Sequence, residues 1–263
     1  MNYLLVSLAA LGSALLTLLS GFGLGTLLLP AFLLTLHSVP VAVAATALVH
    51  LANNLFKLGL VGRHAVGAIV LRFGVPALLA SVAGALLLAR AAAWPELGRY
   101  LLAGHEFVVR PLNLVVGLLM VGFALFEWSP RLSGLAFPAR VLPLGGVLSG
   151  FVGGLSGHQG ALRAAFLARC GLGKEQYVGT GAVCAVLVDV ARLAVYGVTA
   201  WRDHFARLGE AGGRGLVAAG VAGAFIGSYL GARLLTKTTL PAVQRLVACM
   251  LVALGLALAA GLV

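Results

Sequence analysis

The sequence predicts an all-α integral membrane protein, a polytopic helix bundle of two homologous four-segment halves whose first segments are broken by glycine. Three observations predict it. The 263 residues are 61% hydrophobic and only 10% charged, and the mean hydropathy of +1.08 lies outside the range of soluble globular domains. Apolar runs of about 20 residues, the length that crosses a bilayer as a helix, recur along the chain. Glycine interrupts the opening run of each half, and paired interruptions of this kind are the best sequence pointer to a transporter's binding site.

The first element is an apolar run at 4–20, interrupted at Gly21-Phe22-Gly23-Leu24-Gly25-Thr26 and resumed over 24–36. It has no basic leading region and runs into glycines instead of a cleavage site, so it is a membrane element and not a signal peptide. Spans follow at 41–60, 66–89 and 108–126. The second half repeats the order, with a broken run at 140–151 and 160–170 and then spans at 177–200, 214–234 and 243–263. Connections 90–110 and 127–140, the latter with Pro130 and Pro138, read as loops. The chain thus divides into an N-terminal membrane repeat (1–126), a connecting loop (127–139) and a C-terminal membrane repeat (140–263). Thr46 and Thr180 start comparable segments, while Pro111 and Met120 match Pro241 and Met250. The run 3–36 is too long for one simple span, and 140–170 holds two short apolar pieces of about a dozen residues each, a length that suits re-entrant elements. Re-entrant first segments leave three full spans per half and make the repeats inverted.

A formal net charge of +11 would suggest nucleic acid in a soluble protein. Here the cations sit in short connections, where anionic headgroups and the positive-inside rule account for them. Lys and Arg divided over eight simple spans come out nearly even, so this count does not orient the chain. Cys170, Cys184 and Cys249 show no CxxC or Cys/His ligand spacing, which predicts neither a metal, a cofactor nor a disulfide framework.

Ionisable groups inside a span are costly and need a reason. His50, Asn53, Asn54 and Lys57 fall on one helical stripe at i, i+3, i+4 and i+7, and Asp189, Arg192 and Tyr196 form a second stripe in the other half. Asp189 and Arg192, one turn apart, suit either a structural ion pair or a gate. His50, Asn54 and Lys57 are the remaining candidates for gating or proton coupling, with Lys57 close enough to a span end to snorkel. The working part of the chain is the glycine-rich break around Gly157-His158-Gln159-Gly160 with Arg163. A helix restarting near Gly160 points unpaired N–H groups at a sheltered cavity, and Arg163 adds a full charge. An anion site follows, with Arg163 as charge partner, His158 and Gln159 as donors, backbone N–H groups at Gly157 and Gly160, and a counterpart at Gly23, Gly25 and Thr26.

At Gly21 to Pro30, and again at Gly153-Gly154-Leu155-Ser156-Gly157-His158-Gln159-Gly160-Ala161-Leu162-Arg163 followed by Thr180-Gly181, the sequence resembles the TauE/SafE family over essentially its whole length. The resemblance implies a bacterial inner-membrane permease for sulfite, sulfonates or related sulfur anions, with export of sulfite foremost and organosulfonate transport in either direction as the alternative. Its partners would be the small anion and the bilayer, with protons and a second copy of the chain also compatible and nucleic acid excluded. The chain departs from the family at Gly23-Leu24-Gly25, where many members carry a longer glycine run. A rival from another class is an intramembrane serine hydrolase, since Gly154-Leu155-Ser156-Gly157 reads as G-x-S-G with His158 beside it. No histidine in the final helices could serve as its base.

Overall fold

The computed structural model describes residues 2–20, 24–198, 209, 212–233 and 241–262. Helices dominate: α1 (Asn2–Ser20), α2 (Leu24–Leu36), α3 (Val39–Val61), α4 (Gly67–Ala92), α5 (Pro111–Trp128), α6 (Leu142–Ser156), α7 (Gly160–Leu167), α8 (Lys174–Val198), α9 (Gly213–Arg233) and α10 (Pro241–Ala259). Among the described residues, five helical stretches are long and apolar enough to cross a membrane: Val39–His64, Gly67–Ala92, Ala139–Ser156, Lys174–Val198 and Gly213–Gly231. The protein is therefore a multi-pass, all-α membrane protein. Prolines sit in the first turns of α3, α5 and α6, where a missing N–H costs nothing. A π-helical turn at Val70–Gly74 opens α4.

Two expectations are corrected. The 90–110 connection is not only loop, because β1 (Gly98–Leu102) and β2 (His105–Val109) pair antiparallel across it, with Tyr100 opposite Phe107. The second break is also narrower than its glycine content suggests. Helix α6 runs on through Gly153 and Gly154 to Ser156 and ends at Gly157, which has φ of 82°. Only a residue without Cβ adopts that conformation at no cost.

Both broken segments turn back. Phe137, ahead of α6, donates its N–H to the carbonyl of Ala165 in α7 at 3.0 Å, and its ring stacks on Phe166 at 4.5 Å. Gly145 lies under the Phe166 ring, so the end of α7 has returned to the start of α6. In the other hairpin Val6 of α1 and Phe32 of α2 lie against the same residue of α9, Gly220.

Helix contacts run through glycine. A Cβ on Gly146, Gly150 or Gly154 of α6 would overlap the carbonyl oxygens of Phe73, Ala77 and Ser81 of α4, and one on Gly223 or Gly227 of α9 would overlap those of Ser7 and Leu11 of α1. Both pairs are parallel, since the numbers rise together, and four-residue glycine spacing lets the backbones meet. Antiparallel pairs complete the bundle: α5 meets α10 at Gly117 and Gly255, and α3 meets α8 from Val61 against Gly179 to the polar centre described below.

The distribution of polarity is that of a membrane protein. Leu4, Leu71, Leu79, Leu118 and Leu144 are each more than half exposed, whereas Asn53, Asp189, Arg192 and Ser228 are fully buried. Leucines on the outside meet acyl chains, and the polar groups pair with one another inside.

Candidate functional site

The interior polar residues converge on Asp189. His50 Nδ1 lies 2.6 Å from Asp189 Oδ2, and Asn54 Nδ2 donates to the same oxygen at 2.8 Å. The other carboxylate oxygen accepts from Gln159 Nε2 at 3.4 Å and lies 2.9 Å from Arg192 NH2. The Arg192 contact is close enough for an ion pair, but it is not aligned as a hydrogen bond; the guanidinium nitrogens have no hydrogen-bond partner among the described residues. Asn54 Nδ2 is also 2.9 Å from His50 Nδ1. Since an amide NH2 only donates, a proton on His50 Nδ1 leaves the carboxylate as the acceptor for both. The stripes of α3 and α8 read from the sequence thus meet across the α3–α8 contact, with one carboxylate accepting hydrogen bonds from α3 and the break and ion-paired with Arg192 of α8.

The break is fixed from several directions. Ser149 Oγ donates to the Gln159 carbonyl at 3.1 Å, and Tyr196 Oη donates to the Gly154 carbonyl at 2.9 Å. Arg192 NH1 occupies the space beside Gly157, 2.6 Å from where a Cβ would stand. Gly25 of α2 approaches from the first half, its own Cβ position 3.4 Å from the Gly157 carbonyl oxygen. Gly23 lies outside the described residues, as does the side chain of Thr26.

His158 stands apart from the carboxylate. Its Nδ1 lies 3.2 Å from Ser156 Oγ and its ring stacks on Phe123 at 5.5 Å, while Nε2 is buried with no hydrogen-bond partner among the described residues. Ser156 Oγ donates to the Val152 carbonyl at 3.3 Å.

Beside this centre lies a cavity of about 60 Å³ lined by Thr17, Asn54, Lys57, Gly160, Arg163 and Tyr177, among others, with no aspartate or glutamate. Lys57 is only 6% exposed. The orientation of the Asn53 amide that satisfies all its neighbours accepts from Lys57 Nζ at 3.2 Å and donates to Ser228 Oγ at 2.7 Å and to the Ala224 carbonyl at 3.1 Å. Arg163 is half-buried, and its NH1 is buried with no hydrogen-bond partner among the described residues. Two basic side chains on one lining without a carboxylate favour an anion there.

A larger cavity of about 530 Å³ lies at the other end of the bundle, between the α2–α3 turn and the starts of β1 and α5. It includes Glu96, the exposed Arg110 and the half-exposed Trp94, so acid and base share its lining. The smaller cavity is the better candidate for anion binding.

Sequence reasoning placed His50, Asn54, Gln159, Asp189 and Arg192 in the interior, where the fold joins them, and Lys57 and Arg163, which share the cavity. It missed Tyr177 and Thr17 at the cavity, Ser149 under the break and Phe123 against His158. Tyr177 was readable, because 177, 181, 185 and 189 continue the Asp189 stripe at helical spacing towards the start of α8. Among the described residues no group of three metal-ligating side chains occurs.

No curated protein and no solved structure matches the chain. The sequence model of the family described as "Sulfite exporter TauE/SafE" matches residues 5–258. That match spans both hairpins, the Asp189 centre and the Lys57–Arg163 cavity, and by it the chain belongs to the TauE/SafE sulfite exporter family of membrane transporters.

Proposed function

We propose that the chain exports sulfite, binding it in the cavity between Lys57 and Arg163. One observation carries this: two basic side chains converge on a cavity that has no acidic residue in its lining, and one guanidinium nitrogen there is buried with no hydrogen-bond partner among the described residues. An oxyanion would accept from Arg163, Lys57 and the hydroxyl of Tyr177. Charge-assisted bonds of this kind are about twice as strong as neutral ones. The volume of about 60 Å³ suits a compact inorganic anion, whereas pockets for drug-sized organic ligands run to roughly 300–1,000 Å³. Size therefore favours sulfite over an arylsulfonate.

Arg163 is the charge partner in this reading, and the backbone at Gly157 and Gly160 carries the anion past the break. The His50–Asp189–Arg192 centre is the gate. Displacing Arg192 from its carboxylate towards a passing anion would open it, and the direct His50–Asp189 contact is the route a coupled proton would take. The halves 1–126 and 140–263 act as inverted repeats around this centre. Their helical hairpins enter from opposite ends, and the exchanged pairs α1–α9 and α4–α6 are what a two-fold relation between halves requires. Outward movement of each negative charge gains about 2.3 kcal/mol per 100 mV of inside-negative potential.

Ligand-dependent thermal stability of the purified protein tests the site. Sulfite should raise the unfolding temperature, with stabilisation of about 2.7 kcal/mol at a hundred times Kd. At the same sulfite concentration the stabilisation should fall to about 0.4–1.4 kcal/mol in Arg163→Ala and drop likewise in Lys57→Gln, and p-toluenesulfonate should give much less. Equal protection by the arylsulfonate, or an undiminished sulfite shift in both variants, would refute the assignment.

A further inference from the structure

We infer that the end of the bundle bearing the Lys57–Arg163 cavity faces the cytoplasm, against its anionic headgroups, and that the structure is the state in which the cavity loads from that side. The helix directions carry the inference. Because α6 and α7 form a hairpin that returns to its starting side, the end of α7 and the start of α8 lie at the same end as the start of α6. Parallel packing of α1 with α9 and of α4 with α6, together with antiparallel packing of α3 with α8 and α5 with α10, then fixes every terminus. One end collects the start of α1, the α2–α3 turn, the β-hairpin and the start of α9. The Tyr100 hydroxyl donating to the carbonyl of Ala260 at 2.7 Å ties the end of α10 to it.

The exposed cations divide unevenly over these ends. Arg90, Arg99, Arg110 and Arg214 lie at the β-hairpin end, and Arg99 is matched there by Glu96 and Glu106 at 2.5 and 3.3 Å. Arg63, Arg72, Arg131, Arg140, Arg169, Lys174, Arg233 and Arg245 lie at the other. Eight simple spans had spread these residues evenly because a crossing was counted at the second break. With α6–α7 turned back, Arg169, Lys174, Arg233 and Arg245 join Arg131 and Arg140, and Arg214 leaves them. Lys and Arg in short connections set orientation by staying with the negative cytoplasmic leaflet.

The cavity belongs to the cation-rich end. Lys57 lies in the last turns of α3, Tyr177 in the first turn of α8, and Arg163 on the returning α7. The 530 Å³ cavity opens at the opposite end, with the Asp189 centre closed between them. Anions would therefore gather at the cation-rich face, occupy the small cavity and leave through the large one. This direction of loading rests on the anion-permease reading; the orientation does not.

Cysteine accessibility separates the two. In a background with Cys170, Cys184 and Cys249 replaced by serine, single cysteines are placed by His105→Cys in the β-hairpin and Gly134→Cys in the connection between the halves. Both sites are exposed, and neither change alters the number of Lys and Arg residues. A membrane-impermeant maleimide should label His105→Cys in intact spheroplasts, whereas Gly134→Cys should be labelled only after permeabilisation. Full labelling of both in detergent confirms that the protein is present and reactive. The reverse pattern, or equal labelling of both in intact cells, overturns the orientation whatever the substrate. If the orientation holds and sulfite flux is absent, the fault lies in the substrate reading alone.

Discussion

Arg163 and Asp189 are both charged and interior, and their replacements should fail in different ways. Arg163 NH1 has no hydrogen-bond partner among the described residues, so Arg163→Ala removes a ligand contact and little internal bonding. Anion affinity should fall on the order of 10- to 100-fold, the worth of a hydrogen bond to a charged group at about 1.5–3 kcal/mol, with the unfolding temperature of the unliganded protein nearly unchanged. Asp189 instead holds His50, Asn54, Gln159 and Arg192 together. Asp189→Asn leaves the Arg192 charge buried alone and should cost about 3–5 kcal/mol of stability. Adding Arg192→Gln should recover part of that loss, and a double-mutant cycle on thermal unfolding in detergent measures the coupling. Much of this centre was legible in the sequence because spacing puts His50, Asn54 and Lys57 on one face and Asp189 and Arg192 on another. That the two faces meet at a single carboxylate was not legible, since periodicity says which residues share a stripe and nothing about which stripe lies opposite.

The glycines of the helices divide into those that pack and those that merely occur. On α6, a Cβ at Gly150 would overlap the carbonyl oxygen, Cα and carbonyl carbon of Ala77. Backbone atoms cannot rotate aside, so Gly150→Ala must push α4 and α6 apart, at about 1–3 kcal/mol. Gly122 on α5 has open space around it, and Gly122→Ala should be neutral or stabilising by roughly 0.5–1 kcal/mol through helix propensity. Unfolding temperatures of the two variants provide the comparison. Gly157→Ala combines both costs of the break, a left-handed φ of 82° and a methyl where Arg192 NH1 sits, and it should abolish transport while leaving the protein in the membrane. Gly84, Gly223 and Gly227 likewise lie on a neighbouring backbone. Read from the sequence, the first apolar piece ends at 151 and Gly153 and Gly154 fall inside the break, because composition alone does not separate a glycine that bends a helix from one that admits another. The β-hairpin escaped notice for a related reason: Gly98 to Val109 is short and charged, and its strands rest against the end of α10 through Tyr100, a contact far away in sequence.

Taken as a whole, the molecule is a membrane bundle turned polar side inward, with a small cationic cavity at one end, a larger one at the other and a closed carboxylate centre between them. The fold class was legible from hydropathy and length, which are properties of the chain as a string. The ends at which the connections lie depend on whether the broken segments turn back, and that is decided by contacts such as Gly145 with Phe166 and Phe137 with Ala165. Potential-driven sulfite flux in proteoliposomes, comparing the wild-type chain with Arg163→Ala at equal reconstituted amounts, tests the central claim most directly. Sulfite should move towards the positive side in the wild type, and the rate in Arg163→Ala should fall on the order of 10-fold or more at subsaturating sulfite. A wild-type chain that carries no sulfite, or an Arg163→Ala chain that carries it at the wild-type rate, would contradict the account.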